Sequence, residues 1–248
     1  MARDQNTHTA APINTLTPET DAEASLFAQG AARNETRKAE RQRKKLELQE
    51  GGAASEESRA WEAEAQKLIS EARPLLDMPA LAPRDVILMS NTRLSNAFVM
   101  QPQQQNTAGR IFGGFLVRRA LEVGFATAYM FGGSRPIFRE VDEVTFQTPV
   151  DIGNLVRFES VVLFTSSSML KNGASTIHVE VTAHVTKPEE MSSAVSNTFN
   201  FTFESAGQDG TLRRVVPTTE DEAQRIVARY HKDAEQLAED EAAGVGVV

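Results

Sequence analysis

IFGGFLVRRALEVGFATAYMF, from Ile111 to Phe131, decides the fold. The segment is apolar on nearly every side and is interrupted only at Arg118, Arg119 and Glu122. A helix with so narrow a polar strip has little to offer solvent, so it is predicted to be buried in the middle of a domain. On its N-terminal side NTRLSNAFVMQ (Asn91 to Gln101) reads as a strand, and four strand-like stretches follow it. IFREVDEVTFQTPV runs from Ile137 to Val150, between Pro136 and an Asp151-Ile152-Gly153-Asn154 turn. VRFESVVLFTS (Val156 to Ser166) comes next. In STIHVEVTAHVT (Ser175 to Thr186), Ile177, Val179, Val181, Ala183 and Val185 alternate onto one face, and Phe199, Phe201 and Phe203 do so in SAVSNTFNFTFES (Ser193 to Ser205). A strand, a long apolar helix and then antiparallel strands predict an α+β domain from about Asp85 to Ser205, with one helix packed into a curved sheet.

The flanks differ in character. All but three of the sixteen aromatic residues fall between Asp85 and Ser205, so residues 1–84 and 206–248 are expected to be charged helical appendages. NETRKAERQRKKLELQ (Asn34 to Gln49) is helix-prone and crowds Arg37, Lys38, Arg41, Arg43, Lys44 and Lys45 together. GGAAS (Gly51 to Ser55) breaks it. A second helix, roughly Glu56 to Ala72, carries Trp61, Ala65, Leu68 and Ile69 as a narrow apolar stripe, and Pro74, Pro79 and Pro83 are expected to end it. At the other end Thr218 and Thr219 precede Glu220, Asp221 and Glu222, an acidic helix start, with a helix running to about Glu241 and GVGVV left without assigned structure.

Composition excludes several function classes. The 248 residues carry a net charge of −8, no cysteine and four histidines. There is no disulfide framework, thiolate nucleophile or Cys-ligated zinc, and a reducing intracellular compartment fits. His8, His178, His184 and His231 are too dispersed for a metal-ligand motif. An acidic balance argues against general nucleic-acid binding, and the basic block at Arg37 to Lys45 lacks interleaved aromatics, so it reads as a solvated helical linker. No apolar run approaches the roughly 18 residues of a membrane span.

QNTAGRIFGGFLVRRALEVGF (Gln105 to Phe125), with GGSRP (Gly132 to Pro136) and VDEVTFQTPVDIGN (Val141 to Asn154), resembles the hotdog-fold acyl-CoA thioesterases, most closely the second domain of the mitochondrial double-hotdog type. The resemblance covers about Arg84 to Ser205 and rests on an N-x-x-G-x-I-F-G-G turn followed by an F-x-x-P-V-x-x-G strand. The first thirty residues resemble the tail of a first hotdog and its linker. The resemblance implies a single hotdog: a long central helix wrapped by a curved antiparallel sheet. It also implies hydrolysis of fatty acyl-CoA to free fatty acid and coenzyme A, in fatty acid metabolism, with no metal or redox cofactor. Pairing with a second hotdog, as a homo-oligomer or with a separate half, is expected to complete the site.

Thioester hydrolysis needs a carboxylate, a donor for the carbonyl oxygen and an acyl slot. Gly113 and Gly114 stand where the loop becomes the helix, so their N–H groups belong to its unpaired first turn. Alternatively, the glycines only permit a tight helix entry. Glu122 is the one acidic residue of the helix. Partial desolvation there would raise its pKa, and the resemblance implies that it is the catalytic base or nucleophile. The alternative is an ion pair with Arg118 or Arg119 on a solvent strip. Asn106 reads locally as a turn cap. The resemblance implies instead that it orients water or the thioester carbonyl, with Asn106 from one half and Glu122 and Gly114 from the other. Arg135, Arg139, Arg157 and Lys171 are candidates for the phosphates of coenzyme A, each otherwise a surface charge. Phe112, Phe115 and Met130 could shape an acyl channel or simply fill a core. Gln101 and Gln103 are weaker polar candidates on the preceding segment.

Three other functions remain open at this level. One is a catalytically inactive hotdog that serves as a structural half for a separate catalytic one. Another is a hydratase or dehydratase, disfavoured because no histidine lies near Asn106 to Glu122, with His178 and His184 expected to be exposed. The third, a charged helical binding protein, would require the flanks to dominate. Mitochondrial residence follows from the resemblance alone, since Asp4, Glu19, Asp21 and Glu23 do not suit a transit peptide.

Overall fold

The computed structural model describes residues 14–50, 56–78, 83–142, 144, 146–166, 175–205 and 212–242. They fall in two compact units, Met1–Ser55 and Glu56–Val248. The first contains helix α1 (Asp21–Glu50). Its start is a capping box: Thr20 Oγ1 accepts from the Glu23 N–H at 3.2 Å, and the Glu23 carboxylate accepts from the Thr20 N–H. Leu26 and Phe27 on this helix are exposed. The Gly51 to Ser55 break lies outside the described residues, as do Pro79, Lys171 and the GVGVV tail.

The second unit is built on a five-stranded antiparallel sheet of strands β2 (Leu94–Val99), β3 (Ile137–Val141), β4 (Leu155–Ser166), β5 (Ser175–Lys187) and β6 (Ser192–Ser205), in the order β2-β4-β5-β6-β3. Val156, Phe158, Val179, Val181, Ala183, Phe199, Phe201 and Phe203 face inward along the three central strands. Helix α3 (Gly113–Gly132) lies against this face and buries Leu116, Ala120, Val123, Thr127, Ala128 and Phe131. Gly124 lets the backbone come close: a Cβ there would sit 3.2 Å from the Phe201 ring and 3.3 Å from Val181. The two polar side chains buried in this contact satisfy each other, Thr127 Oγ1 and Ser160 Oγ lying 2.5 Å apart. The helix ends on Gly133, left-handed at φ 68°, whose N–H donates to the Tyr129 carbonyl.

The outer face of the sheet is covered as well. Helices α2 (Glu56–Asp77) and α4 (Glu220–Ala242) pack together through Ala65, Ala223 and Val227, and α4 lies on β5 and β6. A short parallel pair, β1 (Val86–Leu88) with β7 (Arg214–Val216), ties the start of the unit to its C-terminal part. Among the described residues no helix is long and apolar enough to cross a membrane.

Four expectations are corrected. The flanks are not all appendages, because α2, β7 and α4 belong to the compact second unit and carry buried side chains such as Ala72, Val216 and Ile226. Pro74 sits inside α2 rather than ending it; the carbonyl it leaves unpaired belongs to the exposed turn at Ser70, where water can satisfy it. The strand expected over Ile137 to Val150 stops at Val141, after a bulge between Phe138 and Glu140, where the side chain of Asp142 turns to Arg229 of α4. His178 is buried, not exposed: its ring stacks on Phe164 at 4.1 Å, and Nδ1 lies 2.9 Å from the Asp233 carboxylate, because α4 covers that face.

Candidate active site

The glycine turn is assembled from backbone hydrogen bonds. Asn106 N–H donates to the Arg110 carbonyl, Gly109 N–H donates to the Asn106 carbonyl, and Gly109 takes φ +79°, a conformation that favours glycine. Asn106 Oδ1 accepts from the N–H groups of Ala108 (2.8 Å) and Arg110 (3.2 Å). Its carbonyl end therefore performs the local capping role, while its amide NH2 has no partner among the described residues and remains available as a donor. Ile111 N–H donates to Val150 and Phe112 N–H to Gln104, so the chain is fastened on both sides before α3 begins.

Helix α3 starts with Phe112 in an extended conformation and without a side-chain cap. The N–H groups of Gly113 and Gly114 have no acceptor among the described residues and lie at the positive end of the helix. Two aromatic rings account for the glycines. A Cβ on Gly113 would stand 2.8 Å from the Phe146 ring, and one on Gly114 would stand 2.5 Å from the Phe112 ring. Phe112 and Phe146 are themselves exposed. Both readings of the glycine pair thus hold together: it makes room for the rings, and it leaves bare donors beneath them.

Glu122 sits on the solvent strip of α3. Its carboxylate accepts from Arg118 Nε at 3.1 Å and Arg119 Nη1 at 2.7 Å, and its side chain is 43% exposed. Burial pushes its pKa up, but hydrogen bonds and charge from Arg119 and Arg118 outweigh burial and hold it below the ordinary glutamate value. The expected rise does not occur in this chain, because two guanidinium groups stabilise the ionised form more than partial burial destabilises it. Arg119 is itself fixed, with its guanidinium 4.8 Å from the Phe98 ring centre and 5.1 Å from that of Phe115. Gly114 and Glu122 are eight residues apart, about 12 Å of helix rise. A carboxylate clamped to Arg118 and Arg119 does not bridge that distance, so Glu122 and the Gly114 N–H of one helix do not serve the same carbonyl.

The basic candidates separate clearly. Arg139 is paired with Glu204, and Arg157 lies 2.9 Å from Glu159 on the outer face, away from α3. Arg135 is exposed just beyond the C-terminal end of α3, the end opposite to the glycine turn. A cleft of about 310 Å³ lined by Arg93, Glu159, Glu180, His184 and Arg225 also belongs to the outer face and is remote from the glycines. Gln101 serves its own turn, its N–H donating to Gln104 Oε1 at 2.8 Å, and Gln103 is exposed. Met130 is exposed at the end of α3, whereas Phe115 packs against the core. Sequence reading gave no role to Phe146, which lies inside the quoted F-x-x-P-V motif but faces Gly113 only through the fold.

A long helix held in the concave face of a curved antiparallel sheet, with a glycine turn at its N-terminus, is the arrangement of hotdog-fold acyl-CoA hydrolases. The Staphylococcus aureus enzyme crystallised with butyryl coenzyme A and coenzyme A superposes with a TM-score of 0.52 at 19% identity, over 64% of this chain and 98% of that one. The acyl-CoA hydrolase of Bacillus cereus gives 0.53 at 21%, over 65% and 98%. The chain therefore has the hotdog fold. No family model matches it. Acyl-coenzyme A thioesterase 2, chloroplastic, of Humulus lupulus is 46% identical over 240 residues, covering 94% of this chain and 53% of the relative. Acyl-coenzyme A thioesterase 4, mitochondrial, of the same plant is 46% identical over 95% and 43%. Acyl-coenzyme A thioesterase 9, mitochondrial, of Homo sapiens is 34% identical over 83% and 44%. By these relationships the chain belongs to the hotdog-fold acyl-CoA thioesterases. It spans about half the length of the curated relatives it matches.

Proposed function

We propose that this chain forms half of an acyl-CoA thioesterase site and hydrolyses fatty acyl-CoA to free fatty acid and coenzyme A once it is paired with a second hotdog. The observation that carries this reading is the pair of unpartnered N–H groups at Gly113 and Gly114, at the positive end of the buried helix and beneath two exposed aromatic rings. The names of the relatives support a catalytic rather than a purely structural half.

In the mechanism we favour, the thioester oxygen accepts from the Gly114 N–H, and the free amide NH2 of Asn106, on the same turn, holds the carbonyl or the attacking water. Glu122 comes from the other half, since the same helix keeps it about 12 Å away. It takes a proton from water as the water oxygen adds to the carbonyl carbon. The C–S bond then breaks, and the proton passes to the departing thiolate of coenzyme A. No metal or redox cofactor enters this scheme. Phe112 would flank the acyl chain and Arg135 would meet a phosphate of coenzyme A.

Pairing has a visible surface. Strand β3 is an open edge with all five residues exposed, and Ile137 (59%), Phe138 (43%) and Val141 (39%) present apolar side chains there. A relative about twice this length would bring its own second half; alone, the chain would use a copy of itself. Replacing Ile137 and Phe138 together by Lys is expected to convert a dimer to a monomer in analytical ultracentrifugation and to abolish hydrolysis with it, while circular dichroism stays unchanged. The organellar names of the relatives support a plastid or mitochondrial location for the whole protein.

The direct test is thiol release from acyl-CoAs of four to eighteen carbons, with an enoyl-CoA as control. Release of coenzyme A is expected. A paired protein that releases none across the series, or that hydrates the enoyl-CoA instead, overturns the reading.

A further inference from the structure

Helix α4 lies on the face of the sheet away from α3, yet one of its side chains reaches the segment that shapes the glycine turn. Arg229 and Asp142 form an ion pair in which both side chains are only 4% exposed. Arg229 is also 2.9 Å from the Asp233 carboxylate and donates to Thr202 Oγ1 at 3.3 Å; Lys232 Nζ adds a second contact to Asp142 at 3.0 Å. Each partner of the pair thus has a second one of opposite charge, Arg229 with Asp233 and Asp142 with Lys232, so the four groups hold Asp142 against α4 as a network.

Asp142 is the residue at which the chain leaves the sheet. Its N–H still donates to the Asn200 carbonyl of β6, at 3.1 Å, and Phe146 follows four residues later in the sequence. Beyond Phe146 the segment is caught again, with Gln147 N–H donating to the Ser196 carbonyl, Ser196 Oγ donating to the Thr148 carbonyl, and Val150 accepting from Ile111. Phe146 thus follows the anchor set by α4 at Asp142 and directly precedes the one at Gln147, and a Cβ on Gly113 would stand 2.8 Å from its ring.

From this geometry we infer that Arg229 is a positioning residue for the N-terminus of α3. Through Asp142 it fixes where Phe146 sits, and through Phe146 it sets how closely a carbonyl approaches the Gly113 and Gly114 N–H groups. The catalytic part of this inference rests on the thioesterase reading; the mechanical part does not.

The test compares Arg229→Met and Asp142→Asn with Arg225→Met. The last breaks another contact between α4 and the sheet, to Glu180, without touching Asp142. In the paired full-length chain, amide hydrogen exchange over residues 111–116 is expected to quicken several-fold in Arg229→Met and Asp142→Asn but not in Arg225→Met. On acyl-CoA the first two lose about tenfold in kcat with KM within twofold, the scale of a small misplacement at a reacting centre. Equal exchange at 111–116 in all three variants overturns the inference whether or not the protein is a thioesterase. So does a change confined to KM, or a kcat loss no larger than that of Arg225→Met at matched thermal stability. Should Arg229→Met fail to fold, the milder Asp142→Asn decides by the same readouts. A wild-type chain inactive on every acyl-CoA defeats the thioesterase reading and leaves the exchange result to judge the clamp.

Discussion

Gly114→Ala is expected to lower kcat for acyl-CoA hydrolysis about a hundredfold, the loss that follows when one oxyanion donor is blocked, with little change in melting temperature. The new methyl meets the Phe112 ring at 2.5 Å, but that ring is 58% exposed and can swing into solvent, so the fold tolerates it. The methyl also occupies space beside the N–H, where the carbonyl must come. Combining it with Phe112→Ala separates the two effects. If the ring clash alone caused the loss, the double variant regains activity; if the blocked donor caused it, the double variant stays as slow as Gly114→Ala. Steady-state kinetics beside a thermal melt read both, and recovery in the double variant would remove Gly114 from the mechanism.

Glu122→Ala is expected to have the larger effect, about a thousandfold in kcat, since a positioned base contributes roughly that much. Full activity on several acyl-CoAs would discard Glu122 altogether. The ion pairs add a pH signature. Because Arg119 and Arg118 hold the Glu122 pKa below the ordinary value of 4.5, the carboxylate stays ionised, and able to take a proton, further into acid than an isolated glutamate. Where Glu122 governs the acid limb of kcat/KM, that limb falls below pH 4.5 in the wild type and moves upward in Arg119→Met. The linked stability has the same sign: it is present above the ordinary glutamate pKa and is lost as pH falls through the lowered one. With the carboxylate 43% exposed, solvent screening keeps that contribution small.

Much of the fold is local information. The alternation in β5 and β6 and the nearly unbroken apolar surface of Ile111 to Phe131 are each consequences of one segment having one buried face or several, and they survive into the three-dimensional structure. What stayed hidden was decided by pairs far apart in the chain. Nothing near Asp142 announces Arg229, and that contact accompanies the end of β3 nine residues before the expected boundary. Likewise His178 alternates like an exposed residue on an outer face and becomes buried because α4, whose apolar stripe is short, lies over it. At the candidate site, the glycine turn and its Asn106 cap were legible from their motif. The competition around Glu122 was legible as spacing alone, since which of burial and two arginines prevails depends on distances.

The pairing of β1 with β7 joins Val86 to Arg214, about 130 residues further along. During synthesis the second of these strands emerges long after the first. At roughly 5–20 residues per second the wait is on the order of six to twenty-five seconds. The sheet itself is complete only once β6 has emerged at Ser205, so its outer face then waits for α4, which ends at Ala242, roughly two to seven seconds at the same rate. The order of its segments, more than its final stability, thus sets how long that face stands bare on the nascent chain.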